Sequence, residues 1–240
     1  MDPLILIVLL ISSFIAALIS GAAGFGGSLL LLPVLSLCVG PHIAVPVLTL
    51  AQLIGNISRM AAGFKTIEWK SVGLFLLTAL PLAALGALGF TLLPPDLVTR
   101  FVGAALVILV LIKLFANVDL PKNNATFLAG GALTGGLSGL CGSGGPVGAA
   151  VFLSRGLAPV AYIASEATTA TAMHILKSVI YAKFDFLTPS ALLLGLAMGV
   201  CMIAGTYVAH HFIKNMEPKK FQKYVAVLLL IVGASLIVTG

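Results

Sequence analysis

Long apolar stretches separated by short polar breaks run along almost the whole chain, near residues 3–20, 43–64, 71–93, 97–116, 125–154, 158–182, 186–213 and 221–239. A hydrocarbon core about 30 Å thick takes about 20 apolar residues of helix, so each stretch predicts a membrane-embedded helix. The loops between them are too short to form an extramembrane domain. Two stretches are interrupted from within: SGAAGFGG occupies residues 20–27 and SGLCGSGG occupies 138–145, an offset of 118. Lipid does not tolerate irregular backbone unless protein or a water-filled cavity satisfies its N–H and C=O groups. Paired breaks at corresponding places in two halves point to a transporter's substrate site.

The offset extends well beyond the glycines. It pairs Pro41 with Pro159, Asn56 with His174, Arg59 with Lys177 and Lys65 with Lys183; near the end of each half it slips to 123, matching Pro95 with Pro218 and Phe101 with Tyr224. A duplication accounts for this better than chance, with halves at 1–118 and 119–240. Each half reads as a glycine-broken helix hairpin followed by three transmembrane helices. In the first, a limb ending at Ser20 precedes a short limb, 28–39, closed by Gly40 and Pro41; the second has short limbs at 127–138 and 146–154. At 1.5 Å per residue the 28–39 limb reaches only about 18 Å. The expected fold is an all-α membrane protein of about eight segments, or about ten with the broken limbs counted separately.

Basic residues then set the orientation. Short cytoplasmic loops collect Lys and Arg, which places Lys214, Lys219, Lys220 and Lys223 inside. If each broken segment enters and returns, nine basic loop residues lie inside and two, Arg100 and Lys183, outside. Both chain termini fall outside, and the second half is inverted relative to the first.

Composition narrows the class. Of 240 residues, 60% are hydrophobic and 8% charged, and mean hydropathy is +1.19; no soluble domain hides that much apolar surface. The first stretch has Asp2 where a signal peptide carries basic residues, so it reads as a retained helix. The net charge of +6 belongs to short loops and implies no nucleic-acid partner. Cys38, Cys141 and Cys201 match no metal motif or disulfide framework and read as packing, with Cys141 the one that could line a site. Neither cofactor nor metal is expected.

The breaks offer chemistry as well as geometry. Gly24, Gly26 and Gly27, with Gly142, Gly144 and Gly145, let backbone approach a ligand closely, and Ser20, Ser28, Ser138 and Ser143 add hydroxyls. The half-helix after each break would aim unsatisfied N–H groups and a partial positive charge into the gap, a natural anion receptor. The plain alternative is close helix packing, which suffices for Gly86, Gly89, Gly130, Gly131, Gly195 and Gly199.

Buried polar residues mark two helix faces. Thr49, Gln52, Asn56 and Arg59 recur at spacings of three and four, as do Glu166, Thr169, Ala170, His174 and Lys177, with Thr171 a further candidate for substrate contact. Intramembrane polar groups are functional candidates by default. Arg59 and Lys177 attract or gate an anion on one reading; on the other they snorkel to the headgroups. Glu166 and His174 relay protons on one reading, while on the other Glu166 pairs with Lys177 or backbone to hold the bundle.

The SGxxGxGG element in each half, the length, the duplicated plan and the absence of soluble domains resemble the sulfite exporter TauE/SafE family, also called the toluene-sulfonate-uptake family. That resemblance covers the whole chain. It implies transport of a small sulfur-containing anion, such as sulfite or an organosulfonate, across a prokaryotic inner membrane. The partners expected are that anion and the lipid bilayer, with proton or sodium coupling an option and the protein a monomer or homodimer. Secondary transport by alternating access, with export as the expected direction, leads two alternatives: an anion channel of the same architecture and a membrane-embedded enzyme. The last lacks a GxSxG, HExxH or paired-aspartate motif.

Overall fold

The computed structural model describes residues 1–23, 27–115 and 120–212. Gly24, Gly26, the junction at 118–119, the Lys214 to Lys223 cluster and the last apolar stretch, 221–239, lie outside the described residues. Among those described the chain is helical throughout, without strands: α1 (Pro3–Ala23), α2 (Gly27–Val39), α3 (Pro41–Ala62), α4 (Trp69–Leu92), α5 (Pro95–Phe115), α6 (Asn124–Cys141), α7 (Gly145–Ser154), α8 (Pro159–Lys183) and α9 (Pro189–Phe212), with a 3-10 turn at Phe64–Thr66. By length and composition α1, α3, α4 and α9 can each cross a membrane. The protein is an all-α membrane protein.

Local chemistry sets the helix ends. The first broken limb runs past Ser20 to Ala23. The second begins three residues earlier than expected because the Asn123 side chain caps α6, accepting from the Thr126 N–H at 2.9 Å. It stops at Gly142, whose left-handed φ of 76° returns its N–H to the Ser138 C=O at 3.1 Å, a glycine C-cap. Glu68 caps α4, accepting from the Ser71 N–H at 2.7 Å, and its own N–H donates to Ser165 Oγ at 2.9 Å, tying the start of α4 to α8.

Helices meet through small residues. Gly131, Gly135 and Gly139, four apart on α6, sit against the backbone of Phe75, Ala79 and Ala83 on α4, so a Cβ at any of them would strike main-chain atoms. Such seams hold membrane helices, which gain nothing from hydrophobic burial against lipid. Across this one, Thr78 Oγ1 donates to the Leu128 C=O at 2.7 Å. On α9, Gly205 lies against Phe14, Ala17 and Leu18 of α1, while Gly195 and Gly199 lie against Leu50 and Ile54 of α3. Gly86 and Gly130 pack in the same manner, and Gly89 makes ordinary contact with Leu140.

The contact pattern survives exchange of α1–α4 with α6–α9. Thus α1 packs on α9 and α6 on α4; α3 packs on α9 and α8 on α4; α2 joins α3 and α7 joins α8; α3 and α8 meet each other. Helices α3 and α8, equated by the offset of 118, run antiparallel. Gly63 at the end of α3 meets Val160 and Ala164 near the start of α8, and His42 at the start of α3 packs on Phe186, just past the end of α8. Large apolar side chains face outward, Leu77, Leu85, Leu193 and Val200 among them; that is a liability in water and neutral in lipid.

Candidate functional site

Residues bordering the two glycine breaks touch. Ser28, near the start of α2, and Ser143, between α6 and α7, are joined through their hydroxyls at 3.0 Å. Beside them lies a cavity of about 40 Å³, room for about three waters. Its walls come from α2, α3, α4, α6, α7 and α8, so both breaks contribute.

Arg59 is the cation on that wall. Its helix spacing from Asn56 and Gln52 puts all three on one face, and all three line the cavity. The guanidinium donates to Ser20 Oγ and to the Asn56 side-chain oxygen, and Asn56 Nδ2 donates to the Gln52 C=O at 2.8 Å. With 5% of its surface exposed, Arg59 is turned inward and does not snorkel.

Lys177 is turned inward too, with a different outcome. It is fully buried and donates to Ser138 Oγ at 2.9 Å and to the Ser138 C=O at 3.0 Å. Ser20 and Ser138 stand 118 apart, like Arg59 and Lys177, so each cation holds the serine that opens its own break. On the Ser138 carbonyl, which also accepts the Gly142 N–H, an ammonium meets the last turn of α6, where the helix dipole favours positive charge. Lys177 thus closes a helix end and is absent from the cavity wall. Nor does it pair with Glu166, as one expectation had it.

The other predicted residues divide clearly. Gly27, Ser28, Ser138, Gly142, Gly144 and Gly145 line the cavity, as do Glu166, Thr169 and His174. Ser20 and Ser143 stand one hydrogen bond behind, through Arg59 and Ser28. Thr171 is off the wall: its hydroxyl donates to the Ala167 C=O at 2.7 Å, because a 3.6-residue period turns it away from the face shared by Thr169, Ala170 and Met173. Thr49 likewise bonds its own helix, at Val45 C=O, 2.9 Å. Sequence reasoning missed Phe75, Thr134, Gly148 and Met173 as wall residues.

The half-helix donors are fewer than expected. Pro146 has no N–H, and the Val147 and Gly148 N–H groups fold back onto the Gly144 C=O at 3.1 and 3.3 Å. Side chains supply more: Arg59 Nε, Gln52 Nε2, Thr134 Oγ1 and His174 Nδ1 are buried without a hydrogen-bond partner among the described residues, and all four residues line the cavity. Buried polar atoms are normally satisfied, so this wall is unsatisfied in a way that a ligand or ordered water would relieve. Among the described residues, no cluster of three or more His, Cys, Asp or Glu could hold a metal ion.

An aromatic cluster gathers where the start of α3 and the ends of α4 and α8 meet. His42, Phe90, Tyr181 and Phe186 pack with ring centroids 4.7–6.4 Å apart, and Tyr181 OH donates to the Gly139 C=O at 3.1 Å. His42 and Phe186 also line a second cavity of about 310 Å³, together with Asp185 and Thr188. At the positions 118 residues away the sequence has Val160, Gly63 and Glu68 in place of His42, Tyr181 and Phe186, so these three rings are not repeated.

A multi-pass helical membrane protein with a small, cation-bearing polar cavity between two backbone breaks belongs to the class of solute transporters. Over residues 9–236, nearly the whole chain, the sequence matches the family described as Sulfite exporter TauE/SafE. The protein belongs to that family, whose members are transporters of the sulfite and anion exporter type. No curated protein and no solved structure matched the chain.

Proposed function

We propose that the protein is a secondary transporter that exports a small sulfur-containing oxyanion, sulfite or an organosulfonate, across the inner membrane by alternating access. The observation that carries this is Arg59: a buried guanidinium, fixed by Ser20 and Asn56, on the wall of a cavity whose remaining free polar atoms include Gln52 Nε2 and Thr134 Oγ1. A guanidinium presents a planar fork of donors suited to oxyanions. Amide and hydroxyl then orient the remaining oxygens, and no covalent step is needed.

Alternation is supported by the antiparallel packing of α3 against α8 and by the exchange symmetry of the contacts, as expected of inverted halves at 1–118 and 119–240 that rock against each other. With the basic loops inside, the aromatic end faces out.

Counterflow in proteoliposomes tests this reading. Vesicles loaded with unlabelled sulfite should accumulate labelled sulfite transiently and saturably, and lose that behaviour in Arg59→Ala. A conductance without counterflow would establish the channel instead.

A further inference from the structure

Glu166 lies on the same small cavity wall as Arg59. Only 7% of its surface is exposed, and its carboxylate makes no hydrogen bond with any described residue. The charges of Arg59 and Glu166 act on each other, and Tyr162 on α8 senses both. From the same helix His174 also reaches the wall, while Lys177 is occupied by Ser138. Among the described residues the other elements bring no further charge to the wall: α2, α4, α6 and α7 present Ser28, Phe75, Thr134, Ser138 and Gly148. Nearby Glu68 spends its carboxylate on the Ser71 N–H, and Arg155 bonds Ser71 Oγ and the Lys122 C=O.

With both groups ionised and the His174 imidazole neutral, the described cavity wall carries no net charge. An anion entering it would sit beside a carboxylate in a space of about 40 Å³, and two like charges so confined do not both persist. Protonation of Glu166 removes the conflict and leaves Arg59 to be neutralised by one negative charge.

We propose that Glu166 carries a proton alongside each singly charged anion, making transport an electroneutral co-transport of proton and monoanion. This rests on the transporter reading above. The balance is simple: the carboxylate takes up a proton as the anion binds and returns it on the side where the anion leaves, and no bond of the anion is made or broken. The direction follows the combined gradients of proton and anion, and an exporter of this kind removes the acid equivalent together with the anion. A second consequence is selection by charge: a singly charged oxyanion fits the protonated site, and a dianion leaves uncompensated negative charge.

The test uses purified protein in proteoliposomes with labelled sulfite. In wild type, a pH gradient, acid on the sulfite side, should drive accumulation, and an imposed potassium diffusion potential should not. Glu166→Gln should lose the pH-driven accumulation while still exchanging sulfite in counterflow at an altered rate, and Glu166→Asp should keep the pH response. The titration of sulfite itself is common to all three proteins. Accumulation driven by membrane potential or by a sodium gradient in wild type overturns the proposal, whether or not the Gln variant folds. So does undiminished pH-driven accumulation in Glu166→Gln. Absence of counterflow in wild type overturns the transporter reading itself, and the coupling with it.

Discussion

Arg59 on α3 and Lys177 on α8 each reach the serine at the head of a glycine break, but the guanidinium also holds Asn56 and lines the cavity, whereas the ammonium is sealed against Ser138. A duplicated frame supplies two equivalent positions, and donor count separates their uses. An ammonium has three donors on one atom; Lys177 commits two of them to Ser138 and is surrounded by protein. A guanidinium spreads five donors over a plane, so Arg59 can satisfy Ser20 and Asn56 and still keep Nε without a partner among the described residues.

The sharpest way to break the comparison is Arg59→Ala. Hydrogen bonds to charged groups are worth about 1.5–3 kcal/mol, so anion affinity should fall about tenfold to a hundredfold, with sulfite transport in vesicles lost in step. Arg59→Lys should restore only part of it, since an ammonium cannot reproduce the planar fork. Lys177→Met should act elsewhere, lowering stability by about 1.5–3 kcal/mol through loss of the cap on Ser138, visible as a lower unfolding midpoint. Below that comes the α4–α6 seam. Gly135→Val drives a side chain into the Ala79 backbone and should cost about 1–3 kcal/mol. Gly136→Ala, one residue further with open space around it, should leave the midpoint unchanged. Smallest is Ser28→Ala, which removes the hydroxyl link to Ser143 and should lower stability by about 0.5–1.5 kcal/mol.

Much of the architecture was legible because it is written as repetition and period. The glycine breaks, the packing role of Gly131 and Gly195, and the shared face of Gln52, Asn56 and Arg59 all follow from spacing within one helix or one offset between halves. The grip of Arg59 on Ser20 and of Lys177 on Ser138 was not legible as a contact, although all four residues were singled out. Their pairing depends on how a broken limb folds back on the helix that follows the next turn. Phe75 and Thr134 entered the cavity wall without any signal of their own, because a tertiary crossing decides which residue of an apolar seam meets the void. The aromatic cluster was hidden for the same reason: His42, Phe90, Tyr181 and Phe186 are scattered through the sequence and come together only where the ends of α3, α4 and α8 meet. Thr171 shows the opposite failure, a polar residue one position out of phase with the face that matters.

The most direct test of the central claim is the sulfite dependence of the unfolding midpoint for the purified wild type, Arg59→Ala and Lys177→Met in detergent. A ligand that binds the folded state raises the midpoint by mass action. A saturable rise is expected in wild type and in Lys177→Met, the latter from a lower starting point, and in Arg59→Ala only at about tenfold to a hundredfold higher sulfite. An Arg59→Ala protein that responds to sulfite as the wild type does would contradict the claim.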